Sequence, residues 1–357
     1  MRVIDLSDVG SGLEAFVVID HDLFPVAAGG TRMLPDVDVY EVARLARAMT
    51  WKFAACCVPY AGAKAGIRFT GGDRAALLAS YARALEPYRD VFLTGRDMGT
   101  SAADFLAGGE DPVPLWARSH EGLGMDDLAT GHGVKAAAGA ALAHLGRTLE
   151  GAAVAVEGFG KVGAGTARAC ARAGALVVAV STVDGLLADP DGLDVEELLA
   201  LRERHGDRLV AHGRRPVRSR EALFELDCDV LVPGARPDSI PVGLAERLDC
   251  AVVAPAANIP YGAGAVEVLH RRGILAIPDF VSNSGATYLY DVLDQDAEPQ
   301  AALAAIEAGV RETVARTLAT AGSLAITPSA AALREARAYL AQTTGAPGEV
   351  LDELLAA

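Results

Sequence analysis

The sequence predicts an α/β protein of two domains, the second of which is built on a doubly wound, mostly parallel sheet. A length of 357 residues suits two domains, because a single domain usually holds about 100–200 residues. Hydrophobic residues make up 51% of the chain and charged residues 22%, which is the composition of a packed globular protein. From about residue 130 onwards, apolar strand-like runs alternate with helical segments. This alternation is typical of a parallel sheet covered by helices.

The charge and the cysteine content argue against several classes of protein. The net charge of −15 disfavours a nucleic-acid partner, which requires a basic surface. No uncharged apolar run reaches the roughly 18–20 residues of a membrane span, and the N-terminus lacks the apolar core of a secretory signal. We therefore expect a cytoplasmic protein without membrane contact. The five cysteines fit reduced thiols, and the seven histidines show no zinc-ligand spacing with them, so no metal site is expected.

The first predicted domain, residues 1–129, is a mixed α/β unit. Its elements follow from the spacing of apolar residues, which is three and four in a helix and tends to two in a half-buried strand. The predicted elements are strands over 15–19 and 24–28, the second ending at Gly29–Gly30, a helix over 38–57, a loop that carries Lys64 into a strand, a helix over 74–88, a strand over 91–94, and a polar turn that contains Asp97.

The second predicted domain, residues 130–324, contains the parallel sheet, and the helices after it, about 325–357, are expected to pack back on the first domain. An Arg-rich stretch, 206–220, is interpreted as a solvated loop. The predicted elements are a helix over 134–144, a strand over 154–157 followed by a helix that ends near 172, strands over 176–181, 229–232, 251–254 and 274–277, and helices over 300–320 and 330–340.

One glycine motif predicts a dinucleotide site in the second domain. It reads Gly158, Phe159, Gly160, Lys161, Val162 and Gly163, and it lies between a strand and a helix. The first glycine permits a tight turn, the second lets the backbone approach a pyrophosphate, and the third lets helix and strand pack closely. The N-terminus of the helix then offers N–H groups to the phosphates. The motif and its context predict a Rossmann-type dinucleotide-binding domain.

The residues after the next strand favour NAD over NADP as the dinucleotide. Ser181 and Thr182 end that strand, and Asp184 lies near the position of the acidic residue that usually binds the adenosine ribose. No Arg or Lys follows until Arg202. The local sequence therefore lacks a partner for the 2′-phosphate of NADP.

Lysine is scarce in this chain, which draws attention to the few lysines present. Of 32 basic residues only four are Lys, and a buried Lys can act as a neutral base, whereas Arg stays charged. Lys52 lies near the end of the first predicted helix, and Lys64 and Asp97 lie in glycine-flanked segments of the first domain. Such a trio can bind a carboxylate and move protons. From spacing alone, each of the three can equally be a surface charge or a residue that anchors a loop.

A series of short motifs resembles those of the amino-acid dehydrogenases, the glutamate/leucine/phenylalanine/valine dehydrogenase family. The motifs occur in family order from residue 29 to about 290, and the twelve-residue spacing between Lys52 and Lys64 is especially specific. They read GGTRM, MTWK, GAKAGI, RDMGT, ATGHGV, GFGKVG, AANIP and PDFVSNSG.

The resemblance implies a role for each matching residue. The first domain would bind the substrate, the second NAD(P), and the reaction would take place in the cleft between them. Lys64 would be the catalytic lysine that activates water, and Asp97 the acid/base partner of the substrate amine. The other implied roles are the substrate α-carboxylate for Lys52 with Gly29 and Gly30, the nicotinamide amide for Thr130, the cofactor ribose for Ala235, and a place beside the nicotinamide and the substrate for Asn258.

The same alignment implies a substrate pocket closer to that of the leucine, phenylalanine and valine enzymes. Glutamate-specific relatives carry a Lys directly before the first Gly-Gly and a Ser late in the chain, where this chain has Ala28 and Tyr290. Gly95 and Thr287 complete the implied lining. Neither Ala28 nor Tyr290 can neutralise a second substrate carboxylate, so the pocket favours an apolar or aromatic side chain.

The sequence as a whole thus predicts an NAD-dependent enzyme that interconverts an L-amino acid with its 2-oxo acid and ammonia. One alternative is a specialised member that acts on an unusual amino acid or reduces an imine formed with another amine. Another is a non-catalytic, nucleotide-binding sensor. Family members are homo-oligomers, and the short segment before GGTRM makes a dimer the first expectation.

Overall fold

The structure, a computed structural model, describes residues 1–105, 115–291 and 297–356. The chain divides into two compact units. The first comprises Met1–Ala117 and Arg334–Ala357, and the second comprises Arg118–Leu333. The domain boundaries assigned from the sequence, together with the ligand assigned to each domain, stay predictions.

The first unit contains a five-stranded mixed sheet. Its strands are β1 (Arg2–Asp5), β2 (Ala15–Ile19), β3 (Ala27–Leu34), β4 (Ala61–Arg68) and β5 (Phe92–Arg96). They lie in the order β1-β2-β4-β3-β5. Strand β3 runs parallel to β4 and β5, whereas β2 is antiparallel to β1 and β4. The register pairs Thr31 with Arg96, so Arg32 and Asp97, one residue further on, become neighbours.

Two helices of the first unit begin at aspartate caps. Helix α1 (Val39–Ala55) starts after Asp38, whose carboxylate accepts the N–H of Glu41 at 2.8 Å. Helix α2 (Arg74–Leu85) starts after Asp73 in the same way and continues as a 3₁₀ turn over Glu86–Tyr88. Both caps satisfy N–H groups that the helix leaves without an internal partner.

Two elements of the first unit differ from the prediction. Strand β3 begins at Ala27 and runs through Gly29 and Gly30 to Leu34, instead of ending at the two glycines. A Cβ on Gly29 would lie 1.7 Å from the Ala63 carbonyl oxygen, so this glycine permits two strands to approach closely and does not mark a turn. Lys64 lies within β4 and not in a loop.

The second unit contains a six-stranded sheet and a short hairpin. The hairpin strands are β6 (Ser119–His120) and β7 (Leu123–Gly124), and the sheet strands are β8 (Ala153–Val156), β9 (Leu176–Thr182), β10 (Gly185–Ala188), β11 (Cys228–Val232), β12 (Cys250–Val253) and β13 (Leu275–Ala276). The sheet order is β10-β9-β8-β11-β12-β13. All its pairings are parallel except that of β9 with β10. This arrangement confirms the predicted doubly wound sheet.

Helices surround this sheet and continue to the C-terminal part of the chain. Those of the second unit are α3 (Met125–His144), α4 (Lys161–Arg172), α5 (Val195–His205), α6 (Val242–Ala245), α7 (Ala265–Arg271), α8 (Asp279–Ser282), α9 (Gly285–Asp291) and α10 (Pro299–Leu324). Two more follow, α11 (Pro328–Thr344) and α12 (Gly348–Ala356). The backbone carbonyl of Leu354 in α12 accepts a hydrogen bond from Arg47 of α1, which ties the end of the chain to the first unit.

Helix α3 is longer than predicted, because it begins at Met125 and not near residue 134. Its first half contains Gly131 and Gly133. A Cβ on Gly131 would lie 2.6 Å from the backbone nitrogen of Thr166, and one on Gly133 would lie 3.1 Å from Gly285. Both glycines therefore let α3 pack directly against neighbouring helices, a tertiary benefit that outweighs their low helix propensity.

Within the described residues, no helix combines the length and the apolar character needed to cross a bilayer.

Candidate active site

The structure brings Lys64 and Asp97 together in the first unit. The Lys64 Nζ atom lies 3.1 Å from Asp97 Oδ2. Lys64 is 6% exposed. Its position in β4 places it on the face of the sheet that is covered by α1, the same face as Gly62. A Cβ on Gly62 would lie 2.2 Å from the Ala46 carbonyl oxygen in α1, so the small residues before Lys64 allow the helix to pack on this strand.

A second cation, Arg32, also binds Asp97. The Arg32 Nε atom donates to Asp97 Oδ2 at 2.9 Å, and its Nη1 atom forms an ion pair with Glu41 at the start of α1. Arg32 belongs to the GGTRM motif, but the sequence alone assigns it no role, because most arginines are surface charges. One signal was available in the sequence: Arg32 is a charged residue in a strand whose other residues are mostly small or apolar.

The loop that carries Asp97 is fixed against β3. The Asp97 N–H donates to Thr100 Oγ1 at 2.8 Å, and the same hydroxyl donates to the Thr31 carbonyl at 2.8 Å. The Met33 N–H donates to the Met98 carbonyl at 2.9 Å. The backbone of Asp97 is therefore set by the strand that carries Arg32.

These surroundings keep Asp97 ionised. Burial by itself would raise the pKa of Asp97, but the adjacent Lys64 and Arg32 cations outweigh it and lower that pKa to about 2. Asp97 thus meets any ligand as a carboxylate at neutral pH.

The other first-domain residues assigned to the substrate lie on the same sheet or on α1. Ala28 is buried in β3, opposite Gly62 and Leu93, and Gly30 pairs with Gly95 of β5. Lys52 is half-buried in the last turn of α1. The structure thus places the predicted first-domain residues on one unit, and their substrate contacts stay predictions.

In the second unit, the glycine motif forms the predicted turn between β8 and α4. Gly158 has a φ of +84°, a conformation that favours glycine. A Cβ on Gly163 would lie 1.8 Å from the Gly158 carbonyl oxygen, whereas a Cβ on Gly160 would meet no protein atom within 4 Å. Gly160 caps α4 without a side-chain hydrogen bond. Open space and free N–H groups at a helix start fit the pyrophosphate of a dinucleotide.

Two alanine substitutions separate packing from binding in this turn. Gly160→Ala is expected to change the free energy of unfolding by no more than about 1 kcal/mol, yet to weaken dinucleotide binding at least about tenfold, since its methyl group occupies the phosphate space. Gly163→Ala is expected to destabilise the fold by about 1–3 kcal/mol through overpacking. Thermal unfolding and NADH fluorescence titration check both. Full NADH affinity in Gly160→Ala would contradict the assignment of the turn.

The end of β9 lies beside this turn and carries Ser181 and Thr182. Ser181 Oγ accepts the Gly158 N–H at 3.1 Å, and Thr182 Oγ1 donates to the Asp207 carbonyl at 2.8 Å. Both hydroxyls are thus engaged within the protein, while Asp184 is exposed. The Thr182 bond also brings the backbone of Arg208 to this strand end, although 26 residues separate Thr182 from Arg208 in the sequence.

Three of the predicted cofactor segments follow neighbouring parallel strands. The glycine turn follows β8, Ala235 follows β11 and Asn258 follows β12, so they share the carboxyl edge of the sheet, where ligands of such folds bind. The Asn258 side-chain oxygen accepts from Asn283 Nδ2 at 3.0 Å. Ala235 is exposed, and its N–H donates to Glu157 Oε2 at 3.4 Å.

The remaining predicted residues lie on helices of the second unit. Thr130 is half-buried in α3, where its hydroxyl donates to the Asp126 carbonyl at 3.0 Å. Thr287 is buried in α9. The backbone of Tyr290 belongs to the same helix, but its side chain lies outside the part of the chain that is described.

Two family models match the chain. Residues 4–106 match the Glu/Leu/Phe/Val dehydrogenase dimerisation domain, and residues 122–290 match the Glutamate/Leucine/Phenylalanine/Valine dehydrogenase model. The chain belongs to this dehydrogenase family. Membership confirms the family resemblance and supports an amino-acid dehydrogenase activity, that of an oxidoreductase acting on CH–NH2 donors.

Proteins that are similar to this chain in sequence or in fold carry the names of glutamate and tryptophan dehydrogenases. Glutamate dehydrogenase of Thermotoga maritima is 36% identical over 282 residues, which cover 72% of this chain and 67% of that protein. The hetero-hexameric glutamate dehydrogenase from Thermus thermophilus, in its Leu-bound form, superposes with a TM-score of 0.79 at 26% identity, covering 99% of this chain and 88% of that one. L-Tryptophan dehydrogenase from Nostoc punctiforme gives a TM-score of 0.69 at 23% identity over 97% of both chains, which shows a shared fold.

Proposed function

We propose that this protein is an NAD-dependent L-amino-acid dehydrogenase acting on an apolar or aromatic amino acid. The observation that carries the proposal is the buried ion pair between Lys64 and Asp97, 3.1 Å apart, in a chain of the dehydrogenase family. The reaction converts amino acid, water and NAD⁺ into 2-oxo acid, ammonium, NADH and a proton, and it is reversible.

The residues of the first unit hold the substrate and move its protons. Lys52, with the backbone of Gly29 and Gly30, binds the α-carboxylate. Asp97 enters the cycle as a carboxylate and takes a proton from the substrate amine. Lys64 gives up its own proton to solvent, which is the proton that the overall reaction releases, and as a neutral amine it takes a proton from the water that attacks the oxidised α-carbon. The bound nicotinamide supplies the acceptor for the hydride that leaves the α-carbon.

An apolar side-chain preference follows from the residues assigned to the pocket. Ala28 stands where glutamate-specific relatives carry a lysine, and Gly95 adds space beside it. Neither residue offers a charge to a second carboxylate, and an unpaired buried carboxylate is strongly disfavoured.

The choice between NAD and NADP rests on two opposing groups at the end of β9. Asp184 repels a 2′-phosphate and accepts a hydrogen bond from a ribose hydroxyl. The backbone of Arg208 lies at the same strand end, and a guanidinium there attracts a 2′-phosphate. We expect a higher kcat/KM with NAD⁺ than with NADP⁺. Asp184→Asn should narrow this difference, because it removes the repelling charge, and Arg208→Ala should widen it. Initial rates with both cofactors check the expectation, and a wild-type preference for NADP⁺ would refute it.

We also propose that the chain assembles into a homo-oligomer, with a dimer as the first expectation. The match of residues 4–106 to a dimerisation domain supports this.

A screen of NAD⁺ reduction with single L-amino acids at alkaline pH tests the proposed function. The expected result is turnover of at least one apolar or aromatic amino acid. Binding of NADH, seen by fluorescence, without turnover of any amino acid would favour the sensor instead. Oxidation of NADH by a 2-oxo acid with a primary amine, but not with ammonia, would favour the imine-reducing alternative.

A further inference from the structure

We propose that Arg32 is a positioning residue for Asp97, which holds one carboxylate oxygen so that the other faces the substrate amine. This inference rests on the proposed function and assigns a role in it to a residue outside the Lys52, Lys64 and Asp97 trio.

The two cations beside Asp97 approach the same oxygen. Arg32 Nε lies 2.9 Å and Lys64 Nζ 3.1 Å from Oδ2. No hydrogen bond from a described residue reaches the other oxygen, Oδ1. Because a carboxylate has two equivalent oxygens, this arrangement reserves Oδ1 for a proton from the substrate.

Arg32 is itself held by two carboxylates of the first unit. It is 8% exposed, and its guanidinium holds Asp97 through Nε and Glu41 through Nη1. The planar fork of a guanidinium keeps such contacts at a set angle, which a lysine ammonium cannot do. Glu41 belongs to the first turn of α1, so the orientation of Arg32 depends on β3 and α1.

The backbone and the side chain of Asp97 are therefore held by separate contacts. Thr100 fixes the backbone through the Asp97 N–H and the Thr31 carbonyl, and Arg32 fixes the rotation of the carboxylate. Without Arg32, Lys64 alone would hold Oδ2, and a flexible ammonium restrains the plane of a carboxylate less well than a guanidinium does. The lower pKa of Asp97 beside Arg32 agrees with this contact.

A different role for Arg32, that of binding the substrate carboxylate directly, predicts other kinetics. Loss of a binding contact made equally in the ground and transition states raises KM and leaves kcat unchanged, whereas loss of positioning lowers kcat. The burial of Arg32 and its two carboxylate partners favour positioning.

The test compares steady-state kinetics of Arg32→Gln, Arg32→Lys and a matched control, Arg337→Gln. Arg337 also pairs with an aspartate of the first unit, with Nη2 2.6 Å from Asp352 Oδ1, but the two residues lie on α11 and α12 and not on the sheet that carries Lys64. Arg32→Gln is expected to lower kcat roughly thirtyfold or more, near the scale of a misplaced catalytic group, with the KM for the amino acid nearly unchanged. Arg32→Lys should recover at least about a third of that loss on a logarithmic scale, because it returns a cation to Oδ2 without the fork. Arg337→Gln should retain wild-type kinetics.

If the wild-type enzyme is active, two outcomes would overturn this inference and leave the proposed function standing. One is a kcat of Arg32→Gln close to that of the wild type, and the other is a raised KM with unchanged kcat. If Arg32→Gln does not fold, Arg32→Lys decides the question, since a kcat equal to that of the wild type contradicts a need for the guanidinium. A wild-type chain that oxidises no amino acid would overturn the proposed function together with this inference.

Discussion

Replacing Lys64 by Ala, or Asp97 by Asn, is expected to lower kcat at least about a hundredfold, the scale for loss of an acid/base group. Lys64→Ala removes the amine that activates water and leaves Asp97 with Arg32 as its remaining described cation. Asp97→Asn keeps nearly the same shape but removes the proton acceptor. Steady-state turnover of the best amino-acid substrate measures both effects.

Binding of NADH by the second unit provides the internal control for these variants. The dinucleotide turn between β8 and α4 belongs to the second unit, so both variants should bind NADH as the wild type does. Asp352→Asn is a matched control for the carboxylate, because Asp352 pairs with Arg337 in the same unit but has no assigned part in the reaction. Turnover within a few-fold of wild type in both Lys64→Ala and Asp97→Asn would contradict the catalytic assignment.

Glutamate is expected to be a poor substrate, with a kcat/KM about a hundredfold or more below that of the best apolar or aromatic amino acid. The physical reason is that a second carboxylate would be buried beside Ala28 and Gly95 without a cation, at a cost of about 3–5 kcal/mol. Leucine, valine, phenylalanine and tryptophan should each be compared with glutamate under the same conditions.

An engineered charge gives the matching positive test. Ala28→Lys places an amine at the position where glutamate-specific relatives carry one, and it should raise the kcat/KM for glutamate while lowering that for apolar substrates. Val3→Lys puts the same side chain at an exposed position on the edge strand β1, away from β3 in the sheet, and should leave the preference unchanged. If wild-type enzyme used glutamate better than all four other amino acids, the pocket assignment would be wrong.

The elements that depend on local periodicity were predictable from the sequence. Strand β2 (Ala15–Ile19) agrees with its prediction at both ends, and α1 (Val39–Ala55) begins directly after Asp38, as the apolar spacing indicated. The parallel strands of the second unit were found because buried strands are short, continuous apolar runs between helices. The sequence indicated that Lys64 and Asp97 act together. The contact between their side chains depends on how the strands of the sheet pair.

What the sequence did not reveal depends on contacts between distant segments. Gly29 was expected to mark the end of a strand, whereas it lies inside β3 and permits close packing there, as Gly131 and Gly133 do inside α3. Arg32 gained its role only from the register of β3 against β5. Arg208 comes beside Thr182 through one tertiary hydrogen bond. Such neighbours have no local sequence signal, because the chain between them sets no fixed distance.

Transfer of the α-hydrogen tests the central claim most directly. The protein is incubated with NAD⁺ and with apolar and aromatic L-amino acids that carry deuterium at the α-carbon, and the nucleotide product is analysed by mass spectrometry. The account predicts NADH that carries one deuterium with the wild-type enzyme and almost none with Lys64→Ala or Asp97→Asn. Unlabelled NADH, or no NADH with any amino acid despite intact dinucleotide binding, would contradict it.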